Sequence, residues 1–304
     1  MCVGGANVDR KAKTIAQFEK GTSNPGRLTT SSGGVARNVA EALARLGAKV
    51  SLVTVFGDDA DGAWLKKTTA RAGVYLGHST ILPSKRTGTY TAILDCSGEL
   101  QASVSDMALY DSLDFGFIEK KWLKIEEGDI VFMDTNFSAE VIEYIIGQSL
   151  DRGKQLIVNP VSTHKTKKLP DNLSGIDLIL PNRDEAAVLS GIDIKTPDDA
   201  IEAGRQIRKR GAARALISLG AEGQCIVTDE ESRHIPVLMT DVIDVTGAGD
   251  SHSAGVIFGL STGKSLEVSA KLGTAAAIQA LRSKHAVHPE LSADKLYKLT
   301  GEPA

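Results

Sequence analysis

The sequence predicts an α/β fold: a doubly wound, mostly parallel sheet with helices on both faces and a small β-sheet lid. Three observations carry this. From residue 129 onward, short continuous apolar runs alternate with helical segments: DIVFMD at 129–134, QLIVNP at 155–160, IDLILPN at 176–182 and RALISLG at 214–220. Strands apolar on both sides need helices over both faces, as in a parallel sheet. Two stretches, 10–32 and 79–105, break this alternation and read as β excursions that pair into one small sheet over the site. No linker, repeat or low-complexity segment divides the 304 residues, so the expectation is one domain, 1–304, with a lid formed by 10–32 and 79–105.

Taken in order, MCVGGAN forms the last positions of a strand entering a glycine-rich bend. A first strand this short is unusual: either the chain starts a few residues inside the natural protein or the sheet accepts a truncated member. SNPG at 23–26 is a turn, with Pro25 and Gly26 at its centre. In GGVARNVAEALARLG, Val35, Val39, Leu43 and Leu46 recur at helical spacing and Gly47 ends the helix. KVSLVTVFG at 49–57 reads as one buried strand, followed by a helix closed by Gly73. TYTAILD at 89–95 and LQASVS after the CSGE turn make a hairpin. Helices at 138–151, 184–190, 197–210, 249–260, 265–281 and 292–299 complete the chain.

Composition excludes several classes. With 42% hydrophobic and 24% charged residues the chain has ordinary globular make-up. A net charge of -3, with KTKK at 165–168 as the longest basic run, argues against a nucleic-acid partner. No apolar run has the length to span a bilayer and the N-terminus lacks a signal design, so the expectation is a cytoplasmic protein with no membrane partner. Cys2, Cys96 and Cys225 are odd in number and form no CxxC pair, so they read as free thiols.

In a parallel sheet, ligands gather beyond the C-terminal strand ends, here Asp134, Asn136, Asn159, Asn182 and Gly220. The strongest stretch is DVTGAGDSHSAG at 244–255. Gly247, Ala248 and Gly249 leave backbone N–H groups open to an anion at a helix N-terminus, and Asp250 beside them can accept a proton from a hydroxyl attacking a phosphate. The competing reading is a turn with Asp250 as a cap. In NRDE, Asn182 and Glu185 can hold hydrated Mg²⁺, and the same spacing fits a helix capping pair. SLGAEG offers Ser218, Gly220 and Gly223 to a nucleotide, though a plain turn reads the same way. Asn7 and Asp9, with Asn38 after the diglycine Gly33–Gly34, suit vicinal sugar hydroxyls or turn and cap duty. STGKS at 261–265 imitates a phosphate loop, but Phe258 stands where glycine is required and a helix precedes it.

GGVARNVA, NRDE and DVTGAGDSHSAG, in that order and across nearly the whole chain, resemble the signatures of the ribokinase-like PfkB family of sugar and nucleoside kinases. The resemblance implies a ribokinase-like fold, ATP and Mg²⁺ as cofactors, and K⁺ as a further one. It implies that Asp250 is the catalytic base and that Gly247, Ala248 and Gly249 form the anion hole. Asn7, Asp9, Gly33, Gly34, Asn38 and Asn136 would bind substrate. Asn182 and Glu185 would organise Mg-ATP, with Glu185 reaching the metal through water, and Ser218, Gly220, Gly223 and Thr246 would line the nucleotide. Asp244 would hold a monovalent cation. SNPG, SDM at 105–107 and NPVS at 159–162 are similar to a nucleoside-specific branch, while Asn159 departs from the aspartate usual there. A nucleoside partner would then be read at its base by Ser23, Asn24 or Asp106, and two chains would pair through the lid.

Overall fold

The computed structural model describes residues 1–237 and 240–303. The first strand, β1 (Cys2–Val3), is followed by β2 (Asn7–Thr14), β3 (Gly26–Gly33), α1 (Val35–Arg45), β4 (Leu52–Val53), β5 (Val55–Gly57), α2 (Ala60–Arg71), β6 (Thr80–Leu82), β7 (Thr89–Leu94) and β8 (Leu100–Asp106). The second part runs through α3 (Ala108–Asp111), α4 (Phe115–Ile125), β9 (Ile130–Asp134), α5 (Ala139–Arg152), β10 (Gln155–Asn159), α6 (Thr163–Thr166), β11 (Leu178–Ile179), α7 (Arg183–Ser190) and α8 (Pro197–Lys209). The chain closes with β12 (Arg214–Ser218), β13 (Gln224–Val227), β14 (Ser232–Ile235), α9 (Ala248–Ser261), α10 (Leu266–Leu281) and α11 (Ala293–Thr300).

Eight strands form the main sheet in the order β14-β13-β12-β11-β10-β9-β1-β4. From β12 to β4 all neighbours are parallel, and β13 and β14 add an antiparallel edge. The predicted α/β class holds, and the register shows why its strands read as unbroken apolar runs. Cys2 lies opposite Leu52 and Phe132, and these three face a core shared with α1, α9 and α10. Val3 lies opposite Val53 and Met133, which face the core beneath α4, α5 and α8. Alternate residues point to opposite faces, so a sheet covered on both sides has no position left for a polar residue. β1 is short, but it is paired and buried on every side.

A separate four-stranded sheet has the order β3-β2-β7-β8. Its β2–β3 hairpin runs from Asn7 opposite Gly33 to Thr14 opposite Gly26, and β2 also pairs in parallel with β7. Because β2 follows β1 closely and Gly33 leads into α1, the Asn7–Gly33 end is rooted at the main sheet. Arg10 ties the sheet to α2 through Asp61 at 2.6 Å.

Several boundaries differ from the sequence reading. The stretch 49–57 is two strands, not one: β4 joins the main sheet, while β5 pairs in parallel with β6. The break falls at Thr54, whose hydroxyl meets the Tyr110 hydroxyl at 3.1 Å and whose carbonyl accepts the Thr80 amide. Residues 80–82 are therefore drawn away from the small sheet, which instead takes in Asn7 to Asp9 and Asp106. The sequence reading also assigned no helix to 107–125. α4 is there, capped by Asp114, with Ile118, Trp122 and Ile125 buried at helical spacing. Among the described residues no helix is long and apolar enough to cross a membrane, and Cys2, Cys96 and Cys225 are free thiols.

Phe132 is 1% exposed in β9, an interior strand of the main sheet between β10 and β1. Phe132→Ala is expected to lower stability by about 3–5 kcal/mol, because the cavity between β1 and β10 cannot collapse in a covered sheet. Denaturant unfolding measures it, and a loss below about 1 kcal/mol would contradict this packing.

Candidate active site

The site begins with a buried carboxylate that touches no ligand-facing loop by chance. Asp134, fully buried at the end of β9, accepts N–H groups from three segments: Gly5 at 2.9 Å, Ala36 at 2.9 Å and Asn136 at 3.0 Å. These are the bend after β1, the first turn of α1 and the loop after β9. A charge that deep is tolerated because several donors satisfy it. The bend is held further by Tyr110, whose hydroxyl accepts from the Ala6 amide at 2.6 Å. Gly34 caps α1 with φ +98, and a side chain there would sit 2.6 Å from Ala6 Cα, so the loop requires glycine at that position.

This scaffold places α1 beside α9. The Asn38 amide nitrogen donates to Asp250 Oδ2 at 2.6 Å, joining residues 212 apart in sequence. Asp9 lies against Gly33 and accepts from the Asn7 amide at 2.6 Å. Asn7, Asp9, Gly33, Gly34, Asn38 and Asp250 therefore share one region. Close packing around the Asp250 carboxyl withdraws it from water and pushes its pKa up to about 6, against the Asn38 hydrogen bond and the charge of Arg37. Asp9 is also raised, by burial first, with Asn7, Arg37 and Lys11 opposing.

Gly247 caps α9 in the left-handed region at φ 77, and a side chain on it would collide with the Ala286 carbonyl and lie 2.6 Å from Ala286 Cα. α9 then starts at Ala248, whose amide reaches back to the Val245 carbonyl at 3.3 Å, while the Gly249 and Asp250 amides that follow have no carbonyl partner within the helix. In front of Gly249 there is open space. Free N–H groups, the positive end of a helix dipole and a neighbouring carboxylate make a seat for an anion next to a proton acceptor. Ala248 and Gly249 open into a cavity of about 460 Å³, together with Ser218, Gly220 and Gly223. Its opposite wall is apolar, with Val242, Val245, Ala277, Ile278 and Leu281. His252 also faces it, pushed down to about 4 by burial and therefore neutral, donating from Nε2 to Gln224 Oε1 at 2.6 Å. Larger clefts near Arg208 and Glu231 are open to solvent and contain none of these residues.

Asn182 and Glu185 do form the capping box that competed with the metal reading: the Glu185 amide donates to Asn182 Oδ1 at 2.9 Å and Glu185 Oε2 accepts the Asn182 amide at 2.9 Å. The two readings are compatible. Glu185 is 3% exposed, its pKa is raised by burial and by the charges of Asp184 and Asp250, and among the described residues no Lys or Arg pairs with it. Each carboxylate oxygen keeps a lone pair, and the surplus of negative charge suits a hydrated divalent cation.

Asp244 does not fit as a monovalent-cation ligand. Lys11 Nζ lies 3.2 Å from its Oδ2 and donates to Thr246 Oγ1 at 2.8 Å, while Oδ1 accepts the Thr246 amide at 2.8 Å. Burial works against this carboxylate, but Thr246 and Lys11 outweigh it and hold the pKa low. The protein's own ammonium thus satisfies the position, and Thr246 is engaged by Lys11 while its neighbours Val245 and Ala248 face the cavity.

Of the three base-reading candidates, only Asp106 comes to this region. A side chain at Gly88 would lie 3.5 Å from Asn7 Cβ and 3.6 Å from the Asp106 carbonyl. Ser23 and Asn24 belong to the opposite end of the β2–β3 hairpin, seven residues and roughly 23 Å of strand away. There Asn24 folds back on Glu19 and Thr22. Asn136 is buried close to Gly5, and its oxygen accepts from Lys165. Asn159 donates to Ser253 Oγ at 3.2 Å, which ties β10 to α9.

Sequence reasoning gave no role to Arg37, Lys11 or Lys165, and named Asp134 only as one of the strand ends where ligands gather. A charged residue closing a wholly apolar strand was the available signal for Asp134, and an Arg37–Glu41 pair four apart on an otherwise apolar helix face was that for Arg37.

The pattern that defines pfkB family carbohydrate kinases matches residues 1–293. Pseudouridine kinase of Escherichia coli strain K12 is 30% identical over 292 residues, covering 95% of this chain and 92% of that protein. Guanosine-inosine kinase of Exiguobacterium acetylicum is 29% identical over 294 residues, covering 95% and 96%. A carbohydrate kinase from Agrobacterium tumefaciens superposes with a TM-score of 0.86 at 28% identity, covering 98% of this chain and 95% of that one.

Raising Asp250 from 3.8 to about 6 has a consequence for stability. Between those values the folded protein holds a proton that the unfolded chain has released, so stability falls as pH rises through the window and the cost is complete above it. Asp250→Asn keeps an acceptor oxygen for Asn38 and removes the charge. The variant is expected to be more stable than the native protein at pH 8, by up to about 3 kcal/mol, and no more stable at pH 4. Asp250 retains some solvent contact, which makes that figure an upper bound. Chemical denaturation at both pH values is the measurement, and a less stable variant at pH 8 contradicts the reading.

Proposed function

The chain belongs to the pfkB family of carbohydrate kinases, and from that premise we propose that it transfers the γ-phosphate of ATP to the ribose 5'-hydroxyl of a nucleoside, pseudouridine first among them. The observation that carries the reading is the Asn38–Asp250 bond at the head of α9, with the anion seat on one side and the Asn7–Asp9–Gly33 end of the small sheet on the other. Two nucleoside kinases at 29–30% identity along nearly the whole chain support a nucleoside, beside a sugar kinase at 29%.

In this mechanism Asp9 and Asn38 hold the ribose hydroxyls, and ATP occupies the cavity with its base on the apolar wall. Asp250 takes the 5'-hydroxyl proton as the oxygen bonds to the γ-phosphorus and the bond to the bridging oxygen of ADP breaks. Backbone amides of the first turn of α9 hold the charge that spreads over the transferring group. Mg²⁺, held through water by Glu185, would supply further positive charge beside the phosphates. The small sheet acts as a lid. Lys11, reaching from β2 to Asp244 and Thr246, fastens it to the loop ahead of the anion seat and helps exclude water. Exposed Leu28, Leu100 and Val104 on β3 and β8 are the surface through which two chains would pair.

Pseudouridine differs from uridine in its C–C glycosidic bond and free N1–H, so selecting it requires an acceptor beneath the lid. Asp106, at the site end of the sheet, supplies one. A site that pairs a donor rejects analogues lacking it. Screening nucleosides and free sugars by ADP release is expected to return pseudouridine with the highest kcat/KM. Asp106→Ala is expected to lower that value about tenfold or more while leaving uridine almost unaffected. Preference for ribose or for a purine nucleoside would replace this substrate and leave the kinase chemistry in place.

Removing the base is expected to lower kcat by about 10² to 10⁴ in Asp250→Asn, with ATP affinity retained. Since that carboxyl titrates at about 6, the native kcat/KM should rise with pH through this value and level off above it. Turnover by Asp250→Asn within a few-fold of native would remove Asp250 from the mechanism.

A further inference from the structure

Arg37 is 1% exposed and forms a hydrogen-bonded line that ends on the base. Its Nη1 donates to Glu41 Oε2 at 2.5 Å, its Nη2 donates to Asn38 Oδ1, and Asn38 Nδ2 donates to Asp250 Oδ2 at 2.6 Å. Arg37 Nε is buried with no partner among the described residues. A guanidinium so desolvated is costly, and helix packing alone does not call for one on the buried face of α1. We propose that Arg37 is a positioning residue for phosphoryl transfer: it fixes which end of the Asn38 amide meets Asp250 and sets a positive charge close to that carboxylate. The inference rests on Asp250 acting as the base.

The polarity of the line is decisive. An amide can offer either its oxygen or its NH₂, but a guanidinium can only donate. With Arg37 on the oxygen, Asn38 must turn its NH₂ to Asp250, and a donor there favours the ionised carboxylate that a base requires. Released from Arg37, the amide could present its oxygen instead and favour the protonated acid. The groups acting electrostatically on Asp250 reinforce this. Asp134 at the end of β9 and Asp9 on β2 disfavour its charge, Glu185 on α7 is itself raised by it, and His252 on α9 is neutral. Arg37 is the cation in this set. Glu41 holds Arg37 in place and is itself anchored by Arg45 at 2.7 and 2.9 Å, so it keeps a partner when Arg37 is replaced.

The test is the pH dependence of kcat/KM in Arg37→Met and Arg37→Lys, with the nucleoside of highest turnover. In Arg37→Met the acid limb should move to higher pH by about one unit or more, with much of the activity recovered at pH 9 and little change in KM for ATP. Arg37→Lys, which keeps the charge, should return the limb to near its native position. A limb unmoved in Arg37→Met, or moved equally in Arg37→Lys, overturns the proposal. If Arg37→Met does not fold, Glu41→Gln carries the test. With the counter-charge gone the limb should move to lower pH, and a limb unmoved or raised overturns the proposal. A native enzyme with no acid limb at all would instead remove Asp250 as the base, so the two failures are distinguishable.

Discussion

The buried carboxylate of Asp134 is the constraint on which the site depends. It sits at the end of β9, a strand buried along its whole length, and its three N–H donors come from three separate segments. Through Gly5 it sets the exit of β1 and hence the root of the small sheet, and through Ala36 it fixes the start of α1. Asn38 and Arg37 are then delivered to α9 by helix geometry alone. A carboxylate cannot be left half-satisfied at this depth, so the arrangement is close to all-or-none.

The second theme is an excess of buried acid. Asp9, Asp134, Glu185 and Asp250 converge where Arg37 is the buried cation; burial raises the pKa values of Asp9, Glu185 and Asp250, and neighbouring carboxylates add to the rise at Glu185 and Asp250. Such a centre costs stability as it stands, as expected where function and stability compete. Lys11 meets a similar need nearby: the structure gives Asp244 an ammonium from the small sheet where a bound metal was expected, which links the position of that sheet to the loop ahead of α9.

Much of this was legible in the sequence. Gly34 and Gly247 announced themselves because only glycine fits their backbones, and the apolar runs announced a covered parallel sheet because burial on both faces leaves no alternation. The stretch 49–57 misled because a strand that changes sheets at Thr54 keeps the same apolar composition throughout. Ser23 and Asn24 misled because turn chemistry says nothing about which end of a hairpin faces the site, and that was settled by Asn7 pairing with Gly33. The NRDE stretch was read in two ways, and the structure shows the capping geometry, which still leaves the Glu185 carboxylate without a Lys or Arg partner among the described residues.

By itself the sequence determined the α/β class, the order of the loops and the residue types able to do the chemistry, since periodicity and backbone permissiveness are local properties. The tertiary structure alone decided which charges meet. Asn38 and Asp250 are 212 residues apart, Lys11 and Asp244 are 233 apart, and Gly5 and Asp134 are 129 apart. Electrostatic pairing depends on distance in space and on exclusion of water, and neither exists until the sheet has buried the strand ends that bring those side chains together.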